Sequence, residues 1–207
     1  MTSLVEITER SHPVKIELHY ADERNFTGKP IYQTPRCFLH PDAEKMLNHA
    51  IEQADNLGLQ FIIYDAYRPP KAQFVLWSHT PDPNFLADPH RGSPHSRGVA
   101  IDLTLADKKT GEILDMGTPF DSFDPKSWHY NYEVSREAQR NRLILLGIMT
   151  NAGFDNYQHE WWHYQLFKAR DTYPLVDDEW LGVNEYDWKN LRWSLMVINV
   201  FAVALGS

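Results

Sequence analysis

The sequence predicts an α+β fold, with a mainly antiparallel central sheet flanked by helices. Two segments have helical periodicity and recognisable ends. Four short segments alternate or run apolar in the manner of strands. Their order is strand, helix, strand, strand, helix, strand, which is not the regular βαβ repeat of a parallel sheet.

Residues 14–20, Val-Lys-Ile-Glu-Leu-His-Tyr, alternate apolar and polar and read as a half-buried strand. Residues 41–57 read as a helix: Met46, Leu47, Ala50, Ile51, Ala54 and Leu57 share one face, Pro41 suits the first turn, and Gly58 suits the stop. Phe61-Ile62-Ile63-Tyr64 is a short apolar strand, and residues 99–105 alternate again. Ser135 can cap a helix running to Ala152, with Gly153 as terminator. The aromatic-rich segment that follows ends in a strand over residues 162–167.

The chain has 207 residues, 43% of them hydrophobic, which is enough for one domain, residues 1–207, with a real core. A net charge of −8 with no basic run argues against nucleic acid and anionic membranes as partners. The single cysteine, Cys37, excludes an internal disulfide framework and a Cys-rich zinc module. Residues 1–10 contain neither a basic nor an apolar signal region, so a cytoplasmic location is expected. The longest apolar stretch, residues 193–205, is broken by Ser194 and Asn199 and falls short of the roughly 20 residues of a membrane span. It reads as a core element or as a surface covered by a second subunit, which leaves a homo-oligomer open. The tail from about residue 171 has no assigned role.

Two segments could carry chemistry. The first runs Ser93-Pro94-His95-Ser96-Arg97-Gly98-Val99-Ala100-Ile101-Asp102-Leu103-Thr104-Leu105. In a strand over 99–105, Ile101, Leu103 and Leu105 point one way, while Ala100, Asp102 and Thr104 point the other. A carboxylate then has small neighbours on its own face. Gly98 lets the chain bend and swing His95 back over that face, which makes a plausible metal half-site. Spacing alone is weak: with 10 histidines in the chain, a His and an Asp at this offset are expected about once by chance.

The second segment is Glu160-Trp161-Trp162-His163. Starting at His159 it matches the H-E-x-x-H zinc-protease pattern, which works only on a helix. Gly153 has just ended a helix and the surroundings are aromatic, so an extended chain is expected instead. A regular strand would put Glu160 and His163 on opposite faces. Both reach one site only if the chain bends near Trp161 or if Glu160 lies in the loop before the strand.

Taken in order, Ser93-x-His95-x6-Asp102 followed by Glu160-Trp161-Trp162-His163 resembles the zinc D-alanyl-D-alanine dipeptidases, which are related to zinc DD-carboxypeptidases and to the Hedgehog zinc domain. The resemblance runs from about Tyr20 to about His163. It includes Asn25-Phe26-Thr27-Gly28, Asp65-Ala66-Tyr67-Arg68-Pro69 and Met116-Gly117-Thr118-Pro119-Phe120-Asp121.

The resemblance implies that His95, Asp102 and His163 are the ligands of one Zn2+ per chain, leaving a fourth position for water. It implies that Glu160 is the general base and that Arg68 stabilises the oxyanion. Asp121 and Tyr20 would hold the substrate ammonium, and Ser93 would assist binding. Of the two tryptophans, Trp161 is assigned to the pocket wall. His159 is not a ligand in this reading, although it could support one. Each residue also has a structural alternative: a capping aspartate, a core histidine or, for Arg68, a salt bridge with Asp65. The expected function is hydrolysis of small D,D-dipeptides. The alternatives are a DD-carboxypeptidase or peptidoglycan peptidase acting on longer chains, and a zinc-containing binding module without catalysis.

Overall fold

The structure, a computed structural model, describes residues 4–176. Its main sheet has five strands in the order β2-β4-β5-β7-β6. These are β2 (Lys15–Ile16), β4 (Leu59–Asp65), β5 (Ala100–Asp107), β6 (Asp155–Asn156) and β7 (His163–Gln165). Only the β2–β4 pair is parallel; the others are antiparallel. A separate two-stranded antiparallel sheet joins β1 (Val5–Ile7) to β3 (Cys37–Leu39). The helices are α1 (Pro41–Asn56), α2 (Pro70–His79), α3 (Arg136–Ala152) and α4 (Ala169–Thr172). This is the expected α+β class. No helix among the described residues is long and apolar enough to cross a membrane. The apolar stretch at 193–205 lies outside the described residues.

Both long helices form where their end signals fall. Pro41 opens α1, whose N-cap side chain, His40, accepts from the Asp42 amide. Ala43, Leu47, Ala50, Ile51 and Ala54 are buried, whereas Leu57, just past the last turn, is 60% exposed. In α3 the Ser135 hydroxyl accepts from the Ala138 amide at 2.9 Å, and Gly153 closes the helix at φ +110°. The two helices pack with Ile101, Leu103, Leu105 and Phe154 in one apolar core on one side of the sheet.

The expected strand over 14–20 is corrected. Only Lys15–Ile16 pair with β4, and residues 19–21 turn into a 3-10 helix. The turn buries the Tyr20 ring and redirects it away from the strand's alternation. The strand expected at 162–167 shortens to His163–Gln165.

One buried basic side chain braces the far side of the site. Arg142 on α3 donates to the carbonyls of Met116 (2.7 Å), Lys126 (2.7 Å) and Trp128 (3.2 Å), tying the 116–128 loop to the helix. His129 follows that loop. Burial, with the Arg142 charge behind it, pushes its imidazole down to about 4, and its Nε2 is buried without a hydrogen-bond partner. Below pH 6.5 the unfolded chain takes up a proton that the folded chain refuses, so stability falls as pH drops through this window. From pH 7 to pH 5 this group costs the parent about 2 kcal/mol that His129→Gln does not lose. Urea midpoints of both proteins at the two pH values measure the difference, and equal acid losses would show that His129 plays no part.

Candidate active site

The site is a row across three strands. Register sets Asp102 of β5 opposite His163 of β7, and Asp65 of β4 opposite Asp102. Residues opposite one another share a face and lie within side-chain reach. The β4–β5 register slips between Ile63 and Asp65, so β4 carries one extra residue there. Without that bulge Asp65 would face the opposite side of the sheet.

His95 arrives from the 3-10 turn at residues 95–97, which Gly98 ends at φ +69°. A Cβ on Gly98 would lie 2.7 Å from Leu4 Cδ2 and 3.1 Å from the His40 amide nitrogen, so glycine serves both the turn and the close approach. The expected return of His95 over the strand face is what this turn produces.

His95 Nε2 lies 3.1 Å from His163 Nδ1 and 3.4 Å from Asp102 Oδ1, and His163 Nδ1 lies 3.0 Å from Asp102 Oδ1. The outer nitrogens are occupied: His95 Nδ1 meets the Ala66 carbonyl at 2.7 Å, and His163 Nε2 meets Gln165 Oε1 at 3.1 Å. Those acceptors put the ring protons outside and turn both lone pairs inward. Two lone pairs and a carboxylate oxygen on a triangle of 3.0–3.4 Å edges suit a cation. Around a tetrahedral ion with bonds of about 2.0–2.1 Å, ligand atoms lie about 3.3–3.4 Å apart. These three residues could therefore hold a metal ion.

The carboxyls of the site differ in their electrostatics. Asp65, Asp102 and Glu160 are all buried around one guanidinium, Arg68. Burial pushes the Asp102 carboxyl up, but His95 and His163 outweigh it and hold it well below the usual range. Glu160 goes the other way: burial, then Asp102 and Asp121, push it well above the carboxylate range, with Arg68 opposing. Its Oε2 is 3.8 Å from His163 Nδ1, beside the triangle.

Glu160 reaches this position because the chain bends. Residues 161–162 form a turn in which the His163 amide donates to the Glu160 carbonyl at 3.3 Å. This is the bend at Trp161 that a shared site requires.

Arg68 follows β4 and is clamped by Asp65, with Nε at 2.9 Å and Nη2 at 2.8 Å from Oδ2. The salt bridge and a place at the cavity wall are therefore both realised. The Tyr20 ring lies under the guanidinium, 4.8 Å from Cζ, and its hydroxyl donates to Asp121 Oδ1 at 3.1 Å. Asp121 sits at φ +59°, a strained conformation for a non-glycine residue, and its Oδ2 is buried without a partner. Burial, then Asp102, push its carboxyl up to about 8. A cavity of about 580 Å³ is lined by Tyr20, Arg68, Asp121 and Glu160 together with the three candidate ligands.

The family model for D-Ala-D-Ala dipeptidases, peptidase family M15, matches residues 1–185. The chain belongs to that family. It is 49% identical to the D-alanyl-D-alanine dipeptidase of Escherichia coli K12 over 178 residues, covering 86% of this chain and 91% of that protein. It is 36% identical to the D-alanyl-D-alanine dipeptidase of Enterococcus faecium over 188 residues, covering 81% and 92%. The dipeptidase of the same name from Streptomyces coelicolor is 36% identical over 182 residues, covering 77% and 90%.

The remaining expected residues of this M15 peptidase divide. Ser93 lines the cavity, and its hydroxyl accepts from the His95 amide at 3.2 Å, which steadies the ligand turn. Trp161 is corrected: its indole donates to Thr118 Oγ1 at 2.9 Å within the core, and Trp162 lines the cavity instead. The turn at 161–162 exchanges the faces that a strand would have given them. His159 stacks on Trp128 at 4.4 Å and meets the Tyr157 hydroxyl at 3.2 Å, outside the candidate ligand triangle. Sequence reasoning missed Gln165, whose place two residues after His163 in a strand was the available signal. It also missed α2, because Pro69-Pro70 reads as a rigid stretch whereas Pro70 opens a helix.

Proposed function

We propose that this peptidase hydrolyses D-alanyl-D-alanine and similar small D,D-dipeptides, with one zinc ion held by His95 Nε2, Asp102 Oδ1 and His163 Nδ1. The observation that carries the reading is the triangle of inward lone pairs and carboxylate oxygen with the buried Glu160 beside it. The names of the related proteins support the choice of D,D-dipeptide. A zinc ion bound there supplies a water of lowered pKa and an electrophile for the peptide carbonyl.

The rest falls to the chain's own side chains. Glu160, made more basic by burial, takes the proton of the attacking water and returns it to the leaving amine. Arg68, fixed by Asp65, presents positive charge where the carbonyl oxygen becomes an oxyanion. Asp121, with one oxygen on Tyr20 and the other unpartnered, receives the substrate ammonium. An ammonium returns the buried carboxyl to its charged form, which a blocked amine cannot do. Ser93 borders the carbonyl end.

A cleavage panel with the zinc-loaded protein tests this. D,D-dipeptides with a free amine are the expected substrates, with N-acylated versions slower by about 10²-fold or more, since an unpaired buried carboxyl discriminates strongly; tripeptide and L,L versions, which keep the free amine, complete the panel. Equal rates on N-acylated substrates would move the protein to the carboxypeptidases.

A further inference from the structure

We propose that Gln73 is a positioning residue that fixes the aim of the Arg68 guanidinium and couples it to the cavity wall at Ala87; this rests on the role given to Arg68 above. Gln73 lies in the first turns of α2, is 1% exposed, and does not itself line the cavity. Its Oε1 accepts from Arg68 Nη1 at 2.9 Å, and its Nε2 donates to the Ala87 carbonyl at 2.7 Å. Ala87 belongs to the 83–88 stretch that borders the cavity beside Arg68.

The two bonds determine each other. Nη1 can only donate and a carbonyl can only accept, so just one orientation of the amide satisfies both. A flipped amide would set NH₂ against guanidinium and oxygen against oxygen in a buried site, with both groups left unpartnered.

Asp65 alone does not hold Arg68 in place. Its single oxygen Oδ2 takes both Nε and Nη2, and Asp102 Oδ2 lies 3.5 Å from Nη2, so the carboxylates hold one edge of the planar fork and leave a hinge at the Nη1 end. Gln73 grips Nη1 and removes that hinge. Tyr20 covers one face of the plane but supplies no in-plane bond. A guanidinium aimed at a developing oxyanion must be held within fractions of an ångström to be worth its full effect. Only a carboxamide meets both demands. A carboxylate at position 73 would keep the bond to Arg68 and lose the donation to Ala87, and an aliphatic side chain would lose both.

The test is steady-state kinetics on D-alanyl-D-alanine with the full-length, zinc-loaded chain, zinc being quantified in every variant. Gln73→Leu is expected to lower kcat by about 10–100-fold at unchanged zinc content, with KM moving less than about threefold, because the oxyanion forms only in the transition state. Gln73→Glu, which keeps the bond to Arg68 and loses the one to Ala87, is expected to lower kcat less than Gln73→Leu does. The deciding arm is a double-mutant cycle: in an Arg68→Ala background, Gln73→Leu is expected to lower kcat by less than about twofold. Loss by the same factor in both backgrounds would make Gln73 merely structural, and an unchanged kcat in the single variant would overturn the proposal outright. Should Gln73→Leu fail to fold, Gln73→Asn, too short to span both partners, enters the same cycle with the same expectations. A parent that does not cleave the dipeptide would instead overturn the function proposed above.

Discussion

Glu160→Gln is expected to lower kcat for D-alanyl-D-alanine by about 10²–10⁴-fold while zinc content stays at that of the parent. The exchange keeps size and hydrogen-bonding capacity and removes only the ability to take a proton. Glu160 Oε2 stands 3.8 Å from His163 Nδ1, so the proposed ligand triangle is complete without it. The variant is also expected to fold at least as well as the parent. Glu160 is a buried acid repelled by Asp102 and Asp121, and a neutral amide relieves that repulsion. A loss of activity accompanied by an unchanged or higher melting temperature therefore isolates the proton transfer from folding. Full turnover in a zinc-loaded Glu160→Gln protein would remove Glu160 from the mechanism.

What the sequence conveyed depended on how local each feature was. Helices α1 and α3 were legible because each carries its own start, stop and apolar face. The alternation at 99–105 marked β5 because a central strand must put Ile101, Leu103 and Leu105 into one core. The bend at Trp161 was legible only as a requirement: two groups on opposite strand faces cannot share a site. Features set by partners distant in sequence were hidden. The strand at 14–20 ends after two residues because Tyr20 is drawn toward Arg68 and Asp121, about 50 and 100 positions away in the chain. The bulge that turns Asp65 toward Asp102 is a matter of register between β4 and β5, which alternation within either strand does not reveal. Gln73 lies on a helix of ordinary composition, and its role emerges only when both of its partners, Arg68 and Ala87, are in place. Trp161 and Trp162 are one residue apart, and only the turn decides which of them meets the cavity.

Chelation of zinc is expected to abolish hydrolysis, at least about 10³-fold, and addition of zinc to restore it, since a metal-activated nucleophile has no replacement among the lining side chains. Thermal stability gives an independent readout. An ion that binds only the folded chain stabilises it by RT ln(1 + [L]/Kd), about 4 kcal/mol at a thousandfold excess over Kd, so the parent should melt lower after chelation. Asp102→Ala links the two measurements. Asp102 is the middle of the cross-strand row and the only carboxylate on the triangle; without it two neutral imidazoles remain to hold a dication. Zinc affinity is expected to fall by more than about 10²-fold, beyond the range for losing an outer hydrogen bond. The melting shift on chelation should then vanish along with activity. Full stoichiometric zinc in Asp102→Ala would take Asp102 out of the ligand set, and unchanged turnover by the metal-free parent would overturn the zinc mechanism. A binding module without catalysis predicts a different pair of results: a melting shift on chelation, with no cleavage to lose.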